Sequence, residues 1–109
     1  MFEKLKKRRC YPVPGLDGVF VRLFTQGEKP RFNALDGEAK GQYLFGTVLV
    51  NEDGSQCCPR IEGETEADWL ARVETEMSDV DDGVLLLIRD AVNTLIKGEQ
   101  VPVEDIVKN

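Results

Sequence analysis

The chain has 109 residues and a mass of 12.2 kDa, the size of one small domain. Its hydrophobic fraction of 41% and charged fraction of 31% are typical of a soluble globular protein and argue against a disordered one. No apolar run approaches the roughly 18 residues that a membrane-spanning helix needs. The sequence therefore predicts no membrane partner.

The residue inventory argues against catalysis. The chain has no His, so the commonest general base and the commonest metal ligand are both absent. Nucleophile pairs of the Ser–His or Cys–His type are therefore impossible within it. Its three cysteines, two of them adjacent, suit reduced thiols in an intracellular compartment better than a disulfide scaffold. We expect no enzyme, no cofactor and no metal.

Charge is distributed unevenly along the chain. Residues 1–10 carry a net charge of +4, largely from Lys6, Lys7, Arg8 and Arg9, whereas the remaining residues sum to −10. Such an acidic domain repels nucleic acid, so no nucleic-acid partner is expected. Residues 1–9 are predicted to form a basic arm. That arm is either merely solvated or contacts an acidic protein surface.

Residues 10–24 have the pattern of β structure. Residues 11–14 predict an extended edge segment, because their two prolines cannot pair in a central ladder. The Asp-Gly dipeptide in residues 15–18 predicts a turn. Residues 19–24 then alternate between two faces of a strand. One face carries Val19, Val21 and Leu23, and the other carries Phe20, Arg22 and Phe24.

The middle of the chain combines a weak helix signal with a strong strand signal. Thr25 and Glu28 have the spacing of a capping box, while Pro30 and Gly37 limit the length of any helix that follows. Residues 43–50 are aromatic, β-branched and uncharged, which predicts a central strand. Residues 55–58 predict a short final strand. The expected sheet is therefore antiparallel and has about four strands.

Two helices are predicted in the C-terminal half. Thr65 with Asp68 resembles a capping box, and the apolar stripe that follows it is Trp69, Leu70, Val73 and Met77. Ser78 with Asp81 opens a second, Leu-rich helix, which Lys97 and Gly98 are expected to end. The fold class is thus α+β, with a small N-terminal antiparallel sheet packed with two main C-terminal helices. Residues 10–98 form one domain and residues 99–109 a tail.

Two clusters are candidate chemical sites. Asp79, Asp81 and Asp82 could ligate a divalent cation, but their spacing does not match a calcium loop. Three carboxylates in the first turn of a helix also complement the helix macrodipole, and this explanation is preferred. Cys57 and Cys58 are too few for a zinc site and are expected to act as small apolar side chains of a strand.

The remaining functional signal is a surplus of apolar residues. Residues 85–88 are apolar on every side of their helix, and strands 19–24 and 43–50 carry large residues on both faces. An uncovered apolar face usually marks a protein interface, unless residues 25–40 or the C-terminal tail fold over it. Both alternatives remain open from sequence. The candidate partner-binding residues are Phe20, Phe24, Leu86, Leu87, Lys6, Lys7, Arg8 and Arg9.

The order of these features resembles a known family. An N-terminal Val-Pro-Gly-Leu-Asp-Gly-Val-Phe-Val-Arg-Leu-Phe-Thr segment is followed by an apolar segment ending in Asn-Glu-Asp-Gly. A Trp/Leu helix and a Leu-rich helix ending in Asn-Thr-Leu-Ile-Lys-Gly come next. Over about residues 10–98, this order resembles the tail assembly chaperones of long-tailed bacteriophages and prophages.

The resemblance implies a non-enzymatic binding protein in the cytoplasm of the bacterial host cell. Its implied partners are the tape-measure protein and the tail-tube protein, and homo-oligomerisation is left open. A structural tail or head–tail connector subunit that forms an oligomeric ring is the alternative. A metal-dependent enzyme that uses Asp79, Asp81 and Asp82 is the third hypothesis.

Overall fold

A computed structural model of the chain describes residues 2–5 and 9–108, with side chains described for residues 2–3 and 9–97. The fold is α+β, and its three short strands lie in the N-terminal half of the chain among helices. The elements in order are α1 (Phe2–Leu5), β1 (Tyr11–Pro12), β2 (Phe20–Val21), α2 (Lys29–Ala34), α3 (Gly37–Val48), β3 (Leu49–Val50), α4 (Glu66–Ser78) and α5 (Asp82–Lys108).

The sheet of the described residues is antiparallel and has three strands in the order β1-β2-β3. Tyr11 pairs with Val21, which in turn pairs with Leu49. The proline-containing strand lies at the edge, as predicted. The connection from β1 to β2 turns where Gly15 and Gly18 adopt φ values of +88° and +74°, which residues with a Cβ rarely adopt. The predicted turn is confirmed.

The strand predicted for residues 43–50 is wrong over most of its length. Residues 43–48 form the end of helix α3, and only Leu49 and Val50 are extended. The fourth strand is likewise absent from the described residues, where a single bridge joins Val50 to Gln56. An uninterrupted apolar segment has no periodicity that separates a buried strand from a buried helix, and tertiary packing decides between them.

Both predicted C-terminal helices are present. The side chain of Thr65 caps α4 by accepting a hydrogen bond from the Asp68 backbone N–H at 3.1 Å. Helix α5 begins at Asp82, preceded by Asp81, whose carboxylate accepts the Gly83 N–H at 2.7 Å. Asp81 therefore caps the start of α5, a role that the sequence predicted for Ser78. Ser78 is instead the last residue of α4. Helix α5 continues to Lys108, so the predicted helix end at Gly98 is wrong.

The core lies between the sheet, α3 and the two long helices, and residues 25–40 pack over Phe24, which follows β2. Phe24 stacks on Phe32 of α2 at 4.8 Å between ring centroids, and on Tyr43 of α3 at 5.9 Å. Tyr43 meets the indole of Trp69 edge-on at 5.9 Å. This aromatic row decides one alternative that the sequence left open, because residues 25–40 do fold over the Phe24 side of the sheet.

Candidate functional site

An apolar groove of about 360 Å³ opens between α4 and α5. Its floor is formed by Phe45 of α3, Val73 of α4 and Ile88 of α5, each of which is buried in the core. The half-buried side chains of Met77 and Leu85 form its walls. We call this feature the α4–α5 groove. It can accept apolar side chains from another molecule.

Glycine at position 46 allows α3 and α4, two of the three helices that form this floor, to approach each other. A Cβ at Gly46 of α3 would lie 2.7 Å from the Trp69 ring and 2.8 Å from a methyl of Val73, both on α4. Neither distance is tolerated by ordinary packing. Because the residue has no side chain, α4 lies directly on α3 at this point, and Gly46 itself lines the groove.

The rim of the groove carries charge and two thiols. Arg72 reaches from α4 to Glu64, with 2.9 Å between Nη2 and Oε1, and its Nη1 lies 3.3 Å from the Cys58 sulfur. The hydrogen bonds from Arg72, and one from the Ile61 backbone, lower the pKa of Glu64 to about 2. This ion pair neutralises Arg72. Burial raises the pKa of the neighbouring Cys57 thiol, which therefore stays protonated near neutral pH.

The other carboxylates at or beside the rim form no close ion pair among the described residues, although the charge of Glu76, after the hydrogen bond with Glu64, helps to raise the pKa of Arg72. Glu76 lines the groove, and Val80, which also lines it and is 38% exposed, has exposed Asp79 and Asp81 on either side. The ion pairs of the described residues are Arg22–Glu28, Arg31–Glu66 and Arg72–Glu64, so none of these three acids belongs to one. Arg89 lies nearby, with its guanidinium 6.0 Å from the Phe45 ring centroid. The rim is therefore net negative.

A second groove, of about 220 Å³, lies on the other flank of α5. Its lining includes Pro12 and Pro14 from the edge of the sheet, and Leu87, Ala91 and Leu95 from the helix. These three helical residues recur at intervals of four and therefore form one stripe. We call this feature the β1–α5 groove. Helix α5 consequently has an open apolar surface on each side of its buried face.

The predicted partner-binding residues fall in separate places. Leu87 lies in the β1–α5 groove and is 41% exposed, whereas Leu86, 47% exposed, is about 100° away around the helix. Phe20 is half-buried in the central strand, and Phe24 belongs to the aromatic row under α2. Arg9 is exposed. Lys6, Lys7 and Arg8 lie outside the described residues. Of the predicted partner-binding residues that the structure describes, only Leu87 lies in one of the two grooves.

The sequence analysis missed the buried ion pair beside the aromatic row. Arg22 is 1% exposed, and its two terminal nitrogens bind the Glu28 carboxylate at 2.8 and 2.9 Å. Burial alone would raise the pKa of Glu28, but hydrogen bonds from Arg22 and from the Thr25 backbone lower it to about 2. The capping-box spacing located Glu28, but no local signal could pair it with a residue six positions earlier.

The acidic cluster does not form an evident metal site. Within the part of the chain that the structure describes, no group of three His, Cys, Asp or Glu side chains is arranged to hold a metal ion. Asp79, Asp81 and Asp82 are exposed around the start of α5.

Among the described helices, none has both the length and the apolarity to cross a bilayer.

Comparison of the chain with protein-family models, with curated proteins and with solved structures finds no match.

Proposed function

We propose that this protein is a non-enzymatic tail assembly chaperone that reversibly binds the tape-measure protein of a bacteriophage or prophage and assists tail-tube assembly. The observation that carries this proposal is the pair of open apolar grooves on the two flanks of α5. Apolar surfaces of this kind are characteristic of proteins that hold other proteins. Its place of action is the cytoplasm of the bacterial host.

Helix α5 has the properties that such binding needs. Leu86, Leu87 and Ile96 are each more than 40% exposed, although leucine and isoleucine usually lie inside a domain. An amphipathic helix of a partner can cover these side chains in a helix-in-groove complex. The net charge of −6 opposes self-association of the free chaperone and favours a dispersed complex.

The order of sequence motifs supplies the identity of the partner. The resemblance to tail assembly chaperones implies a long helical tape-measure protein, whose apolar stripes need cover until tube subunits assemble around it. Open apolar grooves can cover apolar stripes of this kind, so they are compatible with this partner. The alternative, a connector subunit in a stable ring, needs a contact between copies of this acidic chain.

Co-expression with the tape-measure protein of the same genome tests the proposal. We expect the tape-measure protein to become soluble and to co-elute with a tagged copy of this chain. Leu87→Asp should reduce co-elution at least 5-fold, because it places a charge in an apolar contact. The matched control is Ile61→Asp, which alters a residue that is 60% exposed and outside both grooves.

One result would contradict the chaperone role, and another would contradict the assignment of the partner to the β1–α5 groove. An insoluble tape-measure protein together with a discrete ring of this chain would favour the connector instead. Equal co-elution of the Leu87→Asp and wild-type chains would show that the β1–α5 groove does not hold the partner.

A further inference from the structure

We propose that the α4–α5 groove is the docking site for a basic amphipathic helix, one that presents neighbouring apolar side chains flanked by lysine or arginine. This inference rests on the proposed function, because it specifies the chemistry of the protein segment that the chaperone holds. It concerns a different surface from the one that carries Leu87.

The shape of the groove fits a helix. Helix α4 packs on α3 while α5 packs against β2, which leaves the gap between α4 and α5 open above the buried Phe45. An apolar cavity of about 150 Å³ holds a molecule of benzene, so a groove of about 360 Å³ has room for two side chains of that size. On a helix, residues three or four apart lie about 5–6 Å from each other. One turn can therefore insert both.

The walls of the groove are suited to varied apolar side chains. Met77 is an unbranched, polarizable residue that adapts its shape to what it contacts. Leu85 faces it from α5, and Val80, 38% exposed in the turn between the helices, extends the apolar surface to the rim. A partner that covers these three residues removes apolar area from water, which is the main source of affinity.

The negative charge at the rim of the α4–α5 groove favours a positively charged partner. Glu76, Asp79 and Asp81 lie at or beside the groove and belong to none of the ion pairs of the described residues, whereas Arg72 is already bound by Glu64. Arg89 is the one cation described beside this floor that no carboxylate binds, and it sits against Phe45. The excess carboxylates favour lysine or arginine on either side of the inserted side chains.

The same charge argues against the acidic helices of a second copy of this chain as the occupant, which leaves its basic residues 1–10 to be tested by sedimentation. Each chain carries −6, and the helices that border the groove are themselves acidic. Docking α4 or the start of α5 of one copy into the groove of another would bring carboxylates together. Like charges brought together at an interface are unfavourable. A basic helix from a different protein has no such penalty.

A pair of synthetic peptides tests the charge preference. Both are 18-residue helices of alanine with leucine at intervals of three and four residues, and they differ only in having lysine or glutamate at the flanking positions. Fluorescence anisotropy measures the binding of each labelled peptide to the full chain. We expect the lysine peptide to bind at least 10-fold more tightly than the glutamate peptide, with an affinity that falls as salt is added.

Two charge reversals on α4 locate the binding site. Glu76→Lys alters the groove, whereas Glu74→Lys makes the same change in net charge about 200° away around the helix. Both residues are exposed, and unchanged melting monitored by Trp69 fluorescence confirms that both variants fold. We expect Glu76→Lys to weaken binding of the lysine peptide at least 5-fold and Glu74→Lys to change it less than 2-fold.

Several results would overturn this inference. It would be overturned if Glu76→Lys and Glu74→Lys weakened binding of the lysine peptide equally, or if the chain bound both peptides equally tightly. It would also be overturned if sedimentation showed a dimer of this chain that Glu76→Lys dissociates. Co-expression separates this inference from the proposed function. Tape-measure protein solubilised equally by the wild-type and Glu76→Lys chains would refute the groove as docking site and leave the chaperone role standing. Discrimination between the peptides without solubilisation would refute the chaperone role and support the groove.

Discussion

The ion pair between Arg22 and Glu28 predicts a large loss of stability when Glu28 is replaced by Gln. Arg22 is 1% exposed, and the Glu28 carboxylate binds both of its terminal nitrogens. The third nitrogen, Nε, is also buried and has no hydrogen-bond partner among the described residues. Removing the carboxylate charge therefore leaves a guanidinium out of water without a counter-ion, which is one of the costliest single changes in a folded protein.

The pKa of Glu28 gives the magnitude. Burial raises this pKa, but the hydrogen bonds from Arg22 and Thr25 lower it from its ordinary value of 4.5 to about 2. That difference corresponds to about 3 kcal/mol between the charged and neutral forms. Glutamine resembles the neutral form, so Glu28→Gln should cost about 3 kcal/mol at pH 7. Breaking a buried pair from one side typically costs about 3–5 kcal/mol, which agrees.

Urea unfolding measures this cost, since Trp69 is the single tryptophan and is 3% exposed when the protein is folded. The matched control is Glu66→Gln, which breaks an ion pair with the half-exposed Arg31 and should cost less than about 1 kcal/mol. Replacing Arg22 and Glu28 together by Met and Leu should recover most of the loss. A loss below about 1 kcal/mol for Glu28→Gln, equal to its control, would refute the reasoning.

Three further predictions follow from local features. Gly46→Ala should destabilise the fold by about 1–2 kcal/mol in urea unfolding, because the new methyl would lie 2.7 Å from Trp69 and the clash exceeds the gain in helix propensity. Gly41→Ala, in the same helix with open space around it, should instead stabilise by up to about 1 kcal/mol, and a loss there as large as at Gly46 would contradict the packing argument. Thr65→Ala should cost about 0.5–2 kcal/mol by removing the α4 cap, with Thr65→Ser as the neutral comparison. The lowered pKa of Glu28 predicts stability that is complete above pH 4.5 and falls as the pH approaches 2; an equal fall in Glu28→Gln would refute that assignment.

The two grooves differ in how far local sequence patterns indicate their residues. The excess of apolar residues at positions 85–88 pointed to α5 as an interaction surface, and Leu87 does line the β1–α5 groove. The α4–α5 groove was not predicted. Its floor joins Phe45, Val73 and Ile88 from three helices, and no spacing along the chain relates such distant residues.

Local sequence patterns account for the features that depend on neighbouring residues. The cap at Thr65, the apolar stripe of α4 and the Asp-Gly turn before β2 each depend on residues within a few positions, so their patterns predict them correctly. Tertiary structure decided the conformation of residues 43–48, which are helical although their composition favours a strand. It also decided the pairing of Arg22 with Glu28 and the opening of both grooves. These features depend on which surfaces meet when the chain folds, and free energies of burial and desolvation outweigh local preference there.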